Sequence, residues 1–208
     1  VSFSSNVNTD RTFTYCTSNN ANSLKSAVNR LNANGGTQAD DGLERANTVM
    51  NSARNNAQKV VIFFTDGGPG GTNFNPFDND VANDAVDAAK ELKDKNVLVY
   101  SIGVLEGADP SASISNVTQN SDVSRKINAY MHAVSSNYPD ATNFTSQNLG
   151  ERATDSDYYK AATDATELNS IFQDIFDEVN SGSGSPTNVT ENDPHHSGYI
   201  TFTDKLGE

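Results

Sequence analysis

Two short apolar runs bracket one amphipathic stretch, and this restricts the fold more than any other feature of the chain. Residues 59–65 read KVVIFFT and residues 97–104 read VLVYSIGV. Neither run alternates apolar with polar, so both are expected to be strands covered on both faces. Between them, residues 80–93 place Val81, Ala85, Ala88 and Leu92, with Val86 and Ala89, on one stripe at helical spacing. Strand, helix, strand in that order implies parallel pairing and a right-handed crossover. Further helical patterns occur at 21–31 (Leu24, Ala27, Val28, Leu31), 39–53 (Leu43, Ala46, Val49, Met50, Ala53) and 122–134 (Ile127, Tyr130, Met131, Val134). The clearest lies at 165–179, where Leu168, Ile171, Phe172, Ile175, Phe176 and Val179 share a face. Asp164 is its expected N-cap, with Glu167 completing a capping box. A short strand is expected at 158–162. The fold class is therefore α/β, a doubly wound, mainly parallel sheet.

The 208 residues suffice for one domain and an appendage. Only 35% of them are hydrophobic, but these cluster in the segments above. Lys and Arg total 14 against 27 Asp and Glu, a formal charge of −13. That balance argues against nucleic acid and anionic membranes as partners, since both demand basic patches. No apolar run approaches the ~20 residues needed to span a bilayer. Cys16 is the sole cysteine, so no internal disulfide is expected, and its bland reading is a small core residue. The sequons at Asn116, Asn143 and Asn188 are no more than this Asn/Ser/Thr-rich composition supplies by chance. SGSGSP at 181–186 reads as a flexible linker, and YITFT at 199–203 alternates as a strand does. The expected division is a domain over 1–180, a linker over 181–198, and the start of a following β domain over 199–208. Residues 1–5 (VSFSS) read as a strand, so the chain is expected to be a fragment that opens mid-domain.

Two segments carry chemistry. One is Gly35-Gly36-Thr37-Gln38-Ala39-Asp40-Asp41-Gly42-Leu43. The other is Phe64-Thr65-Asp66-Gly67-Gly68, at the carboxyl end of the strand Lys59–Thr65. In open α/β sheets ligands bind outside the carboxyl ends of the strands, which is where Asp66 falls. Thr37 lies in the turn leading into the helix at 39–53. A hydroxyl and a carboxylate are hard oxygen donors, suited to Mg²⁺, Mn²⁺ or Ca²⁺ rather than to zinc or copper.

The GGT-x-x-D-x-GL segment, followed about thirty residues later by FFTDG, resembles the second and third motifs of von Willebrand factor A domains. Within that family the likeness is to the version found in Gram-positive pilus-tip adhesins and related surface proteins, through segments such as Ser101-Ile102-Gly103-Val104 and Tyr158-Tyr159-Lys160-Ala161-Ala162. The resemblance implies a metal-ion-dependent adhesion site built from three loops: a D-x-S-x-S loop, a Thr and an Asp. Thr37 matches the Thr and Asp66 the Asp. The D-x-S-x-S loop should end a strand ahead of Val1, in the middle of the sheet. Without that strand, two neighbouring strand edges and an apolar stripe should be exposed, and Mg²⁺ (or Mn²⁺ or Ca²⁺) should bind weakly. The implied function is a non-enzymatic adhesion module on a bacterial cell surface or cell wall. It would recognise an acidic side chain of a host or matrix protein through the bound ion. Two other readings stand beside it: a stalk or scaffold domain with an incomplete metal site, and a subunit of a metal-chelating or ATPase assembly.

Each residue also has a plainer reading. Thr37 could simply cap the helix at 39–53, and Asp66 could simply open an Asp-Gly turn. Asp40 and Asp41 complement the helix dipole, with a supporting role at the metal site open to Asp40. Asp109-Pro110-Ser111-Ala112-Ser113 matches D-x-S-x-S formally, but it follows Asp66 in the chain and holds a proline, so a surface turn is expected. Gly67–Gly71 lacks the pattern of a phosphate loop and reads as part of a ligand-contacting loop. His132 should flank a core face, and His195-His196 should be solvated. No G-x-S-x-G, Cys–His pair or H-E-x-x-H is present.

Overall fold

The computed structural model describes residues 1–15, 17–32, 35–70, 75–154 and 157–181. Cys16, Gly71, His195, His196, the expected linker beyond Ser181 and the expected β segment at 199–208 lie outside them.

The chain order is β1 (Ser2–Phe3), β2 (Val7–Asn8), α1 (Ser18–Val28), α2 (Ala39–Met50), β3 (Lys59–Thr65), α3 (Asn79–Asp94), β4 (Val97–Gly103), α4 (Val123–Val134), β5 (Tyr159–Ala161) and α5 (Ala165–Ser181). The expected strand-helix-strand unit is β3, α3 and β4. β3 and β4 pair in parallel from Lys59 opposite Val97 to Thr65 opposite Gly103, and β5 adds in parallel on the far side of β4.

The apolar residues of the strands divide between two faces. Val97 and Val99 pack with Phe63 into a core shared with α2, α3 and α4, through Leu43, Val86, Leu92, Tyr130 and Met131. Tyr100 and Ile102 point the other way, onto Ile171 and Ile175 of α5. Helices therefore cover both faces, and the sheet is doubly wound in the Rossmann-like manner. Asp78 starts α3 by accepting the backbone N–H groups of Asp80 (2.9 Å) and Val81 (3.4 Å). Asn47 ties α2 to α3, its amide donating to the Ala88 carbonyl at 2.7 Å. Leu92 is fully buried at the centre of this packing, where truncation of a leucine to alanine typically costs about 2–5 kcal/mol.

Three expectations need correction. Residues 1–5 form a strand of only two residues, because the chain turns at Ser4–Asn6 and pairs back antiparallel from Val7–Asn8. The first helix runs over Ser18–Val28 and buries nothing: Leu24, Val28 and Leu31 are 39%, 64% and 48% exposed. Helical spacing created that stripe, but its large apolar side chains stay exposed. The last helix runs over Ala165–Ser181. The capping box at its start is offset: Asp164 accepts from the N–H groups of Thr166 and Glu167, whereas Glu167 reaches back to Thr163 rather than to Asp164.

Among the described residues β3 is paired on one side only, and β1 is not hydrogen-bonded to it. Yet the Phe3 ring stacks on Phe63 at 5.6 Å between centroids, with the planes 8° apart. The hairpin and the main sheet thus share a core face without sharing a ladder. On the other face Ile62 and Phe64 are 39% and 40% exposed, and Phe172 and Phe176 of α5 are exposed as well. One strand edge, that of β3, is unpaired among the described residues, where two neighbouring edges were expected.

Candidate metal centre

The carboxyl edge of β3 and the entrance to α2 meet at one place. Thr37 and its neighbours are fixed by the β1–β2 turn: the Gln38 N–H donates to the Ser4 carbonyl at 2.9 Å, and the Gly36 N–H to the Ser5 hydroxyl at 2.8 Å. From the other side the Gly70 N–H donates to the Thr37 carbonyl at 2.7 Å. The loop after β3 is therefore clasped to the segment before α2.

Glycine is required for this approach. A Cβ on Gly67 would lie 2.8 Å from Thr37 Oγ1, and one on Gly68 would lie 2.2 Å from the Pro76 carbonyl oxygen. Gly67 follows Asp66 directly, so the structure brings the two predicted ligand positions side by side. Neither side chain is otherwise engaged: among the described residues, the Thr37 hydroxyl makes no hydrogen bond and the exposed Asp66 carboxylate makes no hydrogen bond or ion pair. The capping role open to Thr37 is not realised, since Gln38 occupies the cap position of α2 and no side chain bonds there. Asp66 opens a bend in which the Thr65 hydroxyl, not the aspartate, bonds Gly67.

Two polar groups, on α4 and in the first turn of α2, hold buried atoms without partners. Tyr130 of α4 is 1% exposed, with its ring edge-on to Phe63 at 6.2 Å and Phe77 at 6.0 Å. Its hydroxyl and the Oδ1 atom of Asp40 are both buried without a hydrogen-bond partner. Burial raises the phenol's pKa, and the charge that bears on it is Asp40. The Asp40 carboxyl is likewise raised by burial, partly offset by the Asp41 backbone N–H and reinforced by the charges of Asp41 and Asp84.

The formal D-x-S-x-S match lies in a turn closed on itself. Asp109 Oδ1 accepts both the N–H and the hydroxyl of Ser111, and these bonds hold its carboxyl below the ordinary range. His132 is a core residue rather than a ligand, 2% exposed and bonded to Asn137 and the Pro110 carbonyl.

The sequence model of the von Willebrand factor type A domain matches residues 1–174. The chain belongs to this family. No curated protein and no solved structure matches it. VWA domains are in general protein-interaction modules, and they often bind a divalent ion at an adhesion site of this kind. The donors here fit such an ion in type, being uncommitted hard oxygens at the expected edge, but they number two. No group of three or more His, Cys, Asp or Glu able to hold a metal occurs among the described residues. Nor is any helix among them long and apolar enough to cross a membrane.

Proposed function

We propose that this VWA domain is a non-enzymatic adhesion module of a bacterial surface or pilus protein, holding a divalent cation at Thr37 and Asp66. The cation would be Mg²⁺, with Mn²⁺ or Ca²⁺ as substitutes. When bound, it supplies an open coordination position for a carboxylate of the partner, a host or matrix protein. Thr37 contributes a neutral hydroxyl and Asp66 one negative charge. The observation that carries the reading is the clasp of the two loops, with both oxygens left free. The −13 charge of the chain supports it, because an acidic surface would repel an acidic partner unless an ion intervened. The small number of donors favours a second reading, a surface-protein scaffold whose metal site is incomplete.

Titration of the protein with Mn²⁺, followed calorimetrically or by electron paramagnetic resonance, separates the two. Two protein ligands plus water should give a dissociation constant on the order of millimolar. Asp66→Ala should abolish binding while leaving the fold intact, since an exposed loop carboxylate supports little of the core. Thr37→Ser keeps the hydroxyl and should retain binding. Mn²⁺ affinity unchanged in Asp66→Ala would exclude this site and leave the scaffold.

A further inference from the structure

α1 is a helix without a core to hold it. Its 11 residues bury no side chain, and a helix that short is marginal in water unless it packs on something. Leu24 and Val28 stand exposed one turn apart, and Phe13 and Tyr15 of the segment leading into α1 are exposed with them. Between that segment and the first turns of α1 lies an open cleft of about 170 Å³, lined by Arg11, Phe13, Asn20 and Leu24 among others. The Arg11 guanidinium donates to the Ser23 hydroxyl at 2.5 Å, and the Asn20 amide donates to the Tyr15 carbonyl at 2.8 Å. The cleft thus has apolar walls and one cation held in a defined place. Charge is segregated in the same way. Residues 11–39 hold Arg11, Lys25 and Arg30 and no acid, in a chain whose net charge is −13. Asp10, just ahead of them, is taken by the Val1 amino group at 3.7 Å. None of the three basic groups is in an ion pair among the described residues, and a fourth, Arg54, lies over the Tyr15 ring at 6.0 Å.

We infer that this cleft and the exposed side of α1 are a docking surface for an acidic, apolar segment of a partner protein. One carboxylate of the segment seats against Arg11, and its apolar neighbours cover Phe13, Leu24 and Val28. Charge complementarity selects that occupant. Two copies of this chain meeting at the same face would set like charges opposite one another. An anionic membrane would meet the net negative charge of the whole molecule as well as these few cations. A bound segment would also supply the packing that α1 lacks. The inference does not depend on a cation at Thr37 and Asp66.

The test is a nuclear magnetic resonance titration of the 208-residue chain with a short synthetic peptide carrying Asp, Leu and Phe. An analogue with Asn in place of Asp is titrated beside it, and EDTA is present throughout so that no cation takes part. A dissociation constant on the order of millimolar is expected for so short a peptide. The shifts should fall on residues 11–15 and on α1, and hydrogen exchange in α1 should slow. The Asn analogue should bind about fivefold more weakly, as the loss of one exposed ion pair allows. Arg11→Gln should bring the acidic peptide down to the level of the analogue and leave the analogue unchanged. Leu24→Ser combined with Val28→Ser should weaken both peptides about tenfold. Thermal midpoints should match that of the unsubstituted chain, because none of these side chains is buried. Equal binding of the two peptides, shifts that map to β3 and α5 instead, or an affinity indifferent to Arg11→Gln overturns the inference. So does self-association abolished by the Leu24 and Val28 substitutions, which would give the face to a second copy. Binding to phosphatidylserine vesicles that Arg11→Gln abolishes overturns it too, by giving the face to a membrane.

Discussion

Thr37 and Gly67 stand so close that a single methyl group at position 67 would come within 2.8 Å of the threonine hydroxyl. The backbone on both sides is already committed: Gln38 to Ser4, Gly36 to Ser5, and Gly70 to the Thr37 carbonyl. The intruding methyl must therefore turn the Thr37 side chain rather than part the loops. Gly67→Ala should change folding stability by less than about 1 kcal/mol, as a loop substitution. It should weaken Mn²⁺ binding about tenfold, equivalent to about 1.4 kcal/mol. Calorimetric titration beside thermal melting checks both halves; intact affinity would show that Thr37 is not a ligand.

Asn128 holds the loop that follows β4. It is 2% exposed, and its side chain accepts from the Asp109 N–H and the Tyr159 hydroxyl and donates to the carbonyls of Gly107 and Ser124. All four hydrogen-bonding positions are used. Asn128→Ala would leave the Gly107 carbonyl and the buried Tyr159 hydroxyl without this partner. A loss of about 3 kcal/mol is expected, from orphaned polar groups together with the cavity. Denaturant unfolding measures it, and hydrogen exchange should show the faster opening at residues 105–110.

Sequence reasoning succeeded where a pattern had only one physical solution. A seven-residue apolar run read as a strand, and β3 occupies the expected span of Lys59–Thr65, although it is not covered on both faces: Ile62 and Phe64 stay partly exposed. The stripe between the runs gave α3 to within one residue at either end. Thr37 and Asp66 were singled out because their spacing matched a motif and because strand ends carry sites in open sheets, and the structure brings their segments together. What stayed hidden depends on distant parts of the chain. Ser4 and Ser5 bind the Gly36–Gln38 segment from more than thirty residues away, and serines in a turn give no sign of it. Asn128 and His132 lie on α4, and their partners lie in the loop at 107–110, which helical periodicity does not reveal. Residues 21–31 show the converse failure. Their periodicity was real, but burial needs a second surface, and periodicity does not say whether one is there.

The uncovered side of β3 should govern solution behaviour. Ile62 and Phe64 are partly exposed on that side, Phe172 and Phe176 of α5 are exposed as well, and among the described residues the edge of β3 is unpaired. Exposed apolar surface next to an unpaired edge promotes association. Replacing Phe64 with Thr and Phe176 with Lys should lower 8-anilinonaphthalene sulfonate fluorescence and slow aggregation. The cost in stability should stay below about 1 kcal/mol, since neither side chain is buried. Light scattering at matched concentration decides the matter, and unchanged association would place the sticky surface elsewhere, with α1 the next to test.

His132 should make the protein acid-labile in a defined window. The Pro110 carbonyl can only accept, so the Nε2–H of the ring donates to it at 3.2 Å, and the bare Nδ1 accepts from the Asn137 amide at 3.0 Å. The ring also lies edge-on to Tyr138 and Tyr159. A proton on Nδ1 would face a donor in a buried site. Burial pushes the His132 pKa down to about 4, with the positive charge of Arg152 adding to the effect and the Pro110 bond and Asp157 opposing it. An unfolded histidine titrates near about 6.5. Between about 4 and 6.5 the unfolded chain therefore binds more protons than the folded one, and stability rises with pH across that interval. The contribution is present in full above about 6.5 and is lost as pH falls towards 4, by up to about 3 kcal/mol. Urea midpoints from pH 7 to pH 4 should show this fall in the unsubstituted protein. His132→Gln, which can still donate to Pro110 but does not titrate, should start lower at pH 7 and decline less steeply. The two curves should converge towards pH 4, and parallel curves would mean that another group carries the acid response.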